Sequence, residues 1–149
     1  MVSLVSRFSF EDLRIGQEAA FEAAVTEADI DRFAAASGDI SPLHVDAGFA
    51  RSRGFAGRVA HGAYLTALAS RLVGVHLPGE NCLLQSLAMQ FRRPVLAGSR
   101  VEVRGVVGQL SAAVQTAVIK LTVCDALTGE VAATGKATVV LTAPAAADE

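Results

Sequence analysis

Asp39 and His44 stand five residues apart in a stretch, Gly38 to Asp46, that shows neither helical nor strand periodicity. A carboxylate and an imidazole differ by about two units in ordinary pKa. Near neutral pH one can therefore take a proton while the other gives one. Pro42, between them, favours an extended Ser41 and stiffens the segment. Two such groups on a constrained loop can hold one water between them. Further along, His61-Gly62 opens a long apolar segment. The first turn of a helix has free N–H groups and positive dipole character, so the Gly62 amide could polarise a carbonyl oxygen. Losing one donor of that kind costs on the order of 3 kcal/mol in a transition state. Glycine also lets a ligand approach closely, because no Cβ intrudes.

Each candidate has a structural alternative. Asp39 could satisfy turn backbone after Gly38, and His44 could be a hydrogen-bonded loop histidine. His61 reads as orienting a loop or capping the helix. Ser70, two turns beyond Gly62, could bond back to a helix carbonyl. His44, His61 and His76 have no metal-ligand spacing and no carboxylate at a helical offset, so no metal is expected. Asp39, His44 and Ser70 do not make a nucleophilic triad, because a glycine-flanked nucleophile elbow is missing.

The positioning elements follow from patterning. Gln17 to Val25 reads as a first strand. Thr26, with Asp29 three residues on, reads as a capping box that starts a helix, with Ile30, Phe33, Ala34 and Ser37 on one face and Gly38 at its end. Gly38 to Asp46 is expected to be loop. Asp46 could cap a short helix through Ala50, and 51 to 58 reads as irregular. The segment from His61-Gly62 to about His76 or Leu77 is a helix that Pro78-Gly79 stops. It is apolar on nearly every side, with Arg71 its only firmly charged residue, so protein must surround it. Four strands are expected after it: 82 to 95, 99 to 110, 113 to 125 and 131 to 142. Their alternation is clear in Val101 and Val103 against Glu102 and Arg104, and in Ala137 and Val139 against Lys136 and Thr138. A curved antiparallel sheet wrapped around the apolar helix satisfies both elements, which predicts an α+β hotdog domain. Such a sheet alone leaves apolar surface and edges exposed, so a homodimer is expected.

Size and charge agree. The 149 residues suit one domain spanning 1 to 149, and 52% of them are hydrophobic against 19% charged. A net charge of −2 gives no reason to bind nucleic acid. The most apolar stretch is too interrupted to span a membrane. Met1 to Phe10 carries no secretory pattern. Cys82 and Cys124 read as inert thiols in a reducing compartment, so the expected location is the cytoplasm. Ala143 to Glu149 reads as a frayed end.

At the signature residues the sequence resembles a known family. Phe33 to Asp46, with its Gly38-Asp39, Pro42 and His44, is similar to the hydratase signature of the MaoC-like (R)-specific enoyl-CoA hydratases. Ala60-His61-Gly62 resembles the family's His-Gly at the start of the hotdog helix. Phe10 to Leu13 with Gly16-Gln17, and Gln85 to Phe91 with Pro94-Val95, resemble its first segment and the strand after the helix. The resemblance implies reversible hydration of a trans-2-enoyl-CoA to an (R)-3-hydroxyacyl-CoA. Asp39 would activate a water for attack on C3. His44 would help hold that water and supply the proton that reaches C2. Gly62 would offer its amide to the thioester oxygen. Ser70, His61 and Tyr64 would belong to the substrate-binding surroundings.

No metal or redox cofactor is implied, since CoA or pantetheine belongs to the substrate. A homodimer or higher homo-oligomer is implied. Where family loops often carry Asn before the proline, this chain has Ser41 and so lacks a side-chain amide. An acyl tunnel would pass Tyr64, Leu65, Leu68 and Leu72, residues that core packing also explains. Arg51, Arg53, Arg58, Arg92 and Arg93 are candidates for CoA phosphates. Competing readings are dehydration on an acyl-carrier protein and a non-catalytic thioester-binding module. A thioesterase fits less well, because the helix from Gly62 to Leu77 has no acid.

Overall fold

The strand alternation beyond residue 82 and the segment before Thr26 together build one antiparallel sheet. In the computed structural model, which describes residues 4–143, its strands are β1 (Glu18–Val25), β2 (Cys82–Phe91), β3 (Ser99–Ser111), β4 (Thr116–Asp125) and β5 (Val131–Leu141). Their spatial order is β1-β3-β4-β5-β2, so β1 and β2 form the two edges. Register places Val103 opposite Val123 and Val123 opposite Ala133, which turns one apolar layer inward. These residues, with Ile119, Leu121, Ala137 and Val139, are buried. The other face is polar. There Glu22 pairs with Arg100 at 2.7 Å and Glu18 with Arg104 at 3.1 Å.

Four helices lie between β1 and β2: α1 (Glu27–Ser37), α2 (Pro42–Val45), α3 (Ala47–Ser52) and α4 (Gly62–Arg71). The expected capping box starts α1. Thr26 Oγ1 accepts from the Asp29 amide, and the Asp29 carboxylate accepts from the Thr26 amide. Gly38 ends the helix in the left-handed region, at φ 78°. Ile30 and Ala34 are buried and Phe33 half-buried. Ser37 is exposed, so the buried face stops one turn earlier than expected.

Helix α4 supplies the core. Leu65, Leu68 and Ala69 on it, then Leu72 and Val73, are buried against the sheet. Gly105 of β3 lets the helix come close, since a Cβ there would sit 2.0 Å from Leu72 Cδ2. The helix continues to His76, as expected, but its last turn, Leu72–His76, widens to a π-helix.

Some boundaries differ from expectation. Residues 38 to 46 are not all loop, because Pro42–Val45 make one helical turn. Pro42 occupies its first position, where the missing N–H is not needed, and Ser41 before it stays extended. Helix α3 runs two residues beyond Ala50, capped as expected by Asp46, which accepts from the Phe49 amide. Strand β2 stops at Phe91, not Val95. The amides of Arg92 and Arg93 both reach the Ala132 carbonyl, and Pro94 has no N–H to continue the ladder. Nor is α4 enclosed on its whole circumference. Ala63, Ala67, Arg71 and Gly74 form an exposed stripe, because one sheet wraps only part of a cylinder. The frayed-end expectation falls, apart from Ala143, outside the described residues. No helix among the described residues is long and apolar enough to cross a membrane. Cys82 and Cys124 are free, and burial pushes both thiols above their ordinary pKa.

Candidate active site

The turn after α1 exposes Asp39, while one turn of α2 carries His44 half-buried beside it. The Asp39 carboxylate accepts from the Ser41 amide at 3.2 Å through Oδ1. Asp39 therefore organises the turn, but with only one of its two oxygens. His44 Nδ1 lies 2.7 Å from the Val59 carbonyl. A carbonyl only accepts, so Nδ1 carries the proton and donates it. In the neutral ring Nε2 is then left as the basic nitrogen.

His61 is 1% exposed and sits just before α4. By the same reasoning its Nε2 donates to the Asp39 carbonyl, at 2.9 Å. Its Nδ1 is buried without a partner among the described residues. The two imidazoles stack, with centroids 3.9 Å apart. Phe33 closes over His61 at 4.9 Å and over Tyr64 at 5.7 Å. His61 thus joins the backbone of Asp39 to the ring of His44.

Asp39, His44 and His61 each bring a ligand-type atom within 4.8 Å of the others. Sequence spacing paired Asp39 with His44 but gave no hint that His61 joins them, which only the fold creates. The set could serve a cation in kind, although each ring already spends one nitrogen on a carbonyl.

A cavity of about 370 Å³ opens beside His44, lined also by Val59, Gly62, Leu65 and Phe91, with Arg92 and Arg93 at its rim. Gly62 is the first residue of α4, so its amide belongs to the turn whose N–H groups lack intrahelical partners. A Cβ on Gly62 would lie 3.1 Å from the Phe91 ring, so that ring rests on bare backbone. Tyr64 and Ser70 are half-buried on α4 and do not line this cavity. Burial raises the Tyr64 hydroxyl above its ordinary pKa.

Of the arginines considered for phosphate contact, Arg58 is buried in contacts of its own and does not face solvent. Its Nε donates to the His44 carbonyl at 2.6 Å, and its Nη2 donates to Asp31 at 2.5 Å. Arg53 stacks on Phe49, its guanidinium 4.7 Å from the ring. Sequence reasoning missed Phe91 as a site residue. Its signal was its place in the 85–91 segment that resembles the family's strand after the helix.

The sequence pattern of the MaoC like domain matches residues 11–131. The chain is 37% identical over 101 residues to a 3-hydroxybutyryl-CoA dehydratase of Methylorubrum extorquens, over 68% of this chain and 64% of that protein. It is 36% identical over 93 residues to an (R)-specific enoyl-CoA hydratase of Aeromonas caviae, over 62% of this chain and 69% of the relative. For the first of these the match thus spans just under two thirds of the relative's length. Among solved structures, the (R)-hydratase from Aeromonas caviae involved in PHA biosynthesis superposes with a TM-score of 0.84 at 32% identity, covering 88% of this chain and 98% of that one. An R-hydratase from Pseudomonas aeruginosa gives 0.88 at 28% identity, over 97% and 94%. With a five-stranded curved sheet around α4 and a family pattern covering most of its length, this hotdog chain belongs to the MaoC-like domain family.

Proposed function

We propose that the chain is an (R)-specific enoyl-CoA hydratase, catalysing reversible addition of water to a trans-2-enoyl-CoA. One observation carries this reading: the Asp39 carboxylate, itself outside the cavity lining, lies within 4.8 Å of a ring nitrogen of His44, which lines one cavity together with Gly62 at the start of α4. A water held there by Asp39 and His44 loses a proton to the carboxylate as its oxygen adds to C3. The Gly62 amide donates to the thioester oxygen and stabilises the enolate character that develops. His44, as the imidazolium, gives its Nε2 proton to C2 while Nδ1–H stays on Val59. Transfer of the proton from Asp39 to His44 restores the starting state, and the sum is one water added.

The reading calls on no metal or redox cofactor. A relative from Arabidopsis thaliana, 34% identical over 89 residues, is named as a 3-hydroxyacyl-[acyl-carrier-protein] dehydratase, so a carrier-protein thioester is the second substrate to try. We also propose a homodimer formed through β2, whose free edge exposes Leu83, Leu84 and Phe91. The two free thiols fit a cytoplasmic setting.

The test is direct. Purified protein is mixed with crotonyl-CoA and longer enoyl-CoA esters, and loss of enoyl absorbance is followed, with chiral chromatography of the product. Formation of the (R)-3-hydroxyacyl ester is expected. No turnover at any chain length would overturn the proposal, and turnover only on the carrier protein would move it to the second substrate.

A further inference from the structure

Helix α2, which carries His44, has four residues. A single turn cannot hold itself, because helix nucleation is unfavourable without outside contacts. Its long-range hydrogen bonds come from Arg58 and Val59, beside the stacking of the His44 ring on His61. The Val59 amide donates to the Leu43 carbonyl at 3.1 Å, and the Val59 carbonyl accepts from the His44 ring. Between these two bonds, Arg58 Nε donates to the His44 carbonyl. The same guanidinium reaches the other way, to α1. There Nη2 bonds Asp31 and Nη1 lies 4.0 Å from Glu27, one helical turn earlier. Its own carbonyl accepts from the Ala97 amide at 2.9 Å, which ties the clamp to the segment leading into β3. Arg58 is 8% exposed, whereas the Asp31 and Glu27 side chains are 63% and 66% exposed. A buried guanidinium thus serves as a three-way joint between α1, α2 and the approach to α4.

We infer that Arg58 is a positioning residue for His44: by fixing the His44 carbonyl against α1, it sets where the ring meets the cavity. The effect on turnover rests on the hydratase reading, whereas the effect on the ring does not. Arg58 does not itself line the cavity, so its influence passes through His44, which does.

Four variants test this: Arg58→Met, Arg58→Lys, Asp31→Asn and, as a surface control, Arg32→Gln, which loses only a pair with Asp29. The first readout needs no substrate. Nitrogen-15 NMR of the His44 ring should show a single Nδ1–H tautomer in wild type. In Arg58→Met that proton should exchange at least about 10-fold faster and the tautomers mix. The second readout is enoyl-CoA hydration per folded molecule. There kcat should fall about 10-fold or more in Arg58→Met with KM within about 2-fold, as for a small displacement of a reacting group.

Arg58→Lys should regain melting temperature but little kcat, because one ammonium cannot reproduce a planar fork serving a carbonyl and two carboxylates. Asp31→Asn leaves the guanidinium in place and should give a smaller change in the same direction; it decides the matter if Arg58→Met does not fold. Arg32→Gln should behave as wild type. An unaltered His44 ring and unaltered kcat in a folded Arg58→Met, or in Asp31→Asn where Arg58→Met does not fold, would overturn the inference. So would a lower melting temperature with normal turnover per folded molecule. If the wild type turns over no thioester, the hydratase reading fails, and the NMR comparison alone decides the role of Arg58.

Discussion

The Val59 carbonyl fixes which nitrogen His44 turns toward the cavity, and that bond sets the roles at the residue scale. With Nδ1–H committed, proton exchange with a ligand falls to Nε2. Asp39→Asn keeps the shape of the turn and removes the base. Turnover should fall roughly 10²-fold or more, as for loss of an acid–base group. Asp39 is exposed, so the melting temperature should barely move. Steady-state kinetics beside a thermal melt checks both parts, and full activity in the variant would remove Asp39 from the mechanism.

Gly62→Ala tests a different contact. The new methyl would meet the Phe91 ring at 3.1 Å, a contact that a shift of a few tenths of an ångström by that side chain relieves. Folding should therefore suffer less than kcat, because the displaced ring enters the space that the substrate needs. Neighbouring groups of this kind are non-additive. The double variant Gly62→Ala/Phe91→Leu should accordingly recover part of the loss. A large drop in stability with normal specific activity would contradict the assignment.

At the scale of elements, the start of α1 gives a measurable cap. Thr26→Ala should destabilise the protein by about 1 kcal/mol, read by denaturant titration. The Thr26 amide and then its hydroxyl hold the Asp29 carboxyl below its ordinary 3.8. A carboxyl with a depressed folded pKa stabilises the fold above the unfolded value and loses that contribution as acid protonates it. The deficit of Thr26→Ala should therefore shrink below pH 4 or so. His76, in the π turn, runs the same way for a different reason. Burial, then the charge of Arg71, lowers its pKa from 6.5, while the ring stacks on Phe21 at 5.0 Å. Its neutral form is favoured in the fold. The associated stability is complete above 6.5 and fades as pH drops toward the lowered folded value. His76→Phe should flatten that decline in melting temperature between neutral and mildly acidic buffer.

The same scale explains what could be read without coordinates. The capping box, Gly38 and the strand alternation are local patterns, and each appears where its residues place it. The closeness of Asp39 to His44 and the place of Gly62 at a helix start were legible for the same reason, while their roles remain part of the proposal. Pro42 misled, because a proline that breaks a helix interior also suits a first position. Arg58 and His61 draw their contacts from partners 14 and 22 residues away, and no periodicity encodes those. The bare stripe on α4 was missed because patterning reports that a side wants cover, not which surface provides it.

For the whole molecule, the two rims of the sheet differ. Along β2, Leu83 is 64% exposed, and the Ala63–Ala67 stripe of α4 also lacks cover. Sedimentation velocity should give about twice the 15.4 kDa of one chain. Leu84→Lys should shift the boundary toward the single chain, and a wild type that sediments as one chain at micromolar concentration would contradict the homodimer. The strand order has one more consequence. Pairing β2 with its own copy consumes the adhesive rim of both molecules at once, and leaves only the β1 rims facing outward. Those carry Glu18 and Glu22 locked to arginines of the neighbouring strand, a poor template for another backbone. If β2 pairs as proposed, growth by strand addition ends after one step, so an association driven by sticky apolar residues closes on itself and does not run on into a filament.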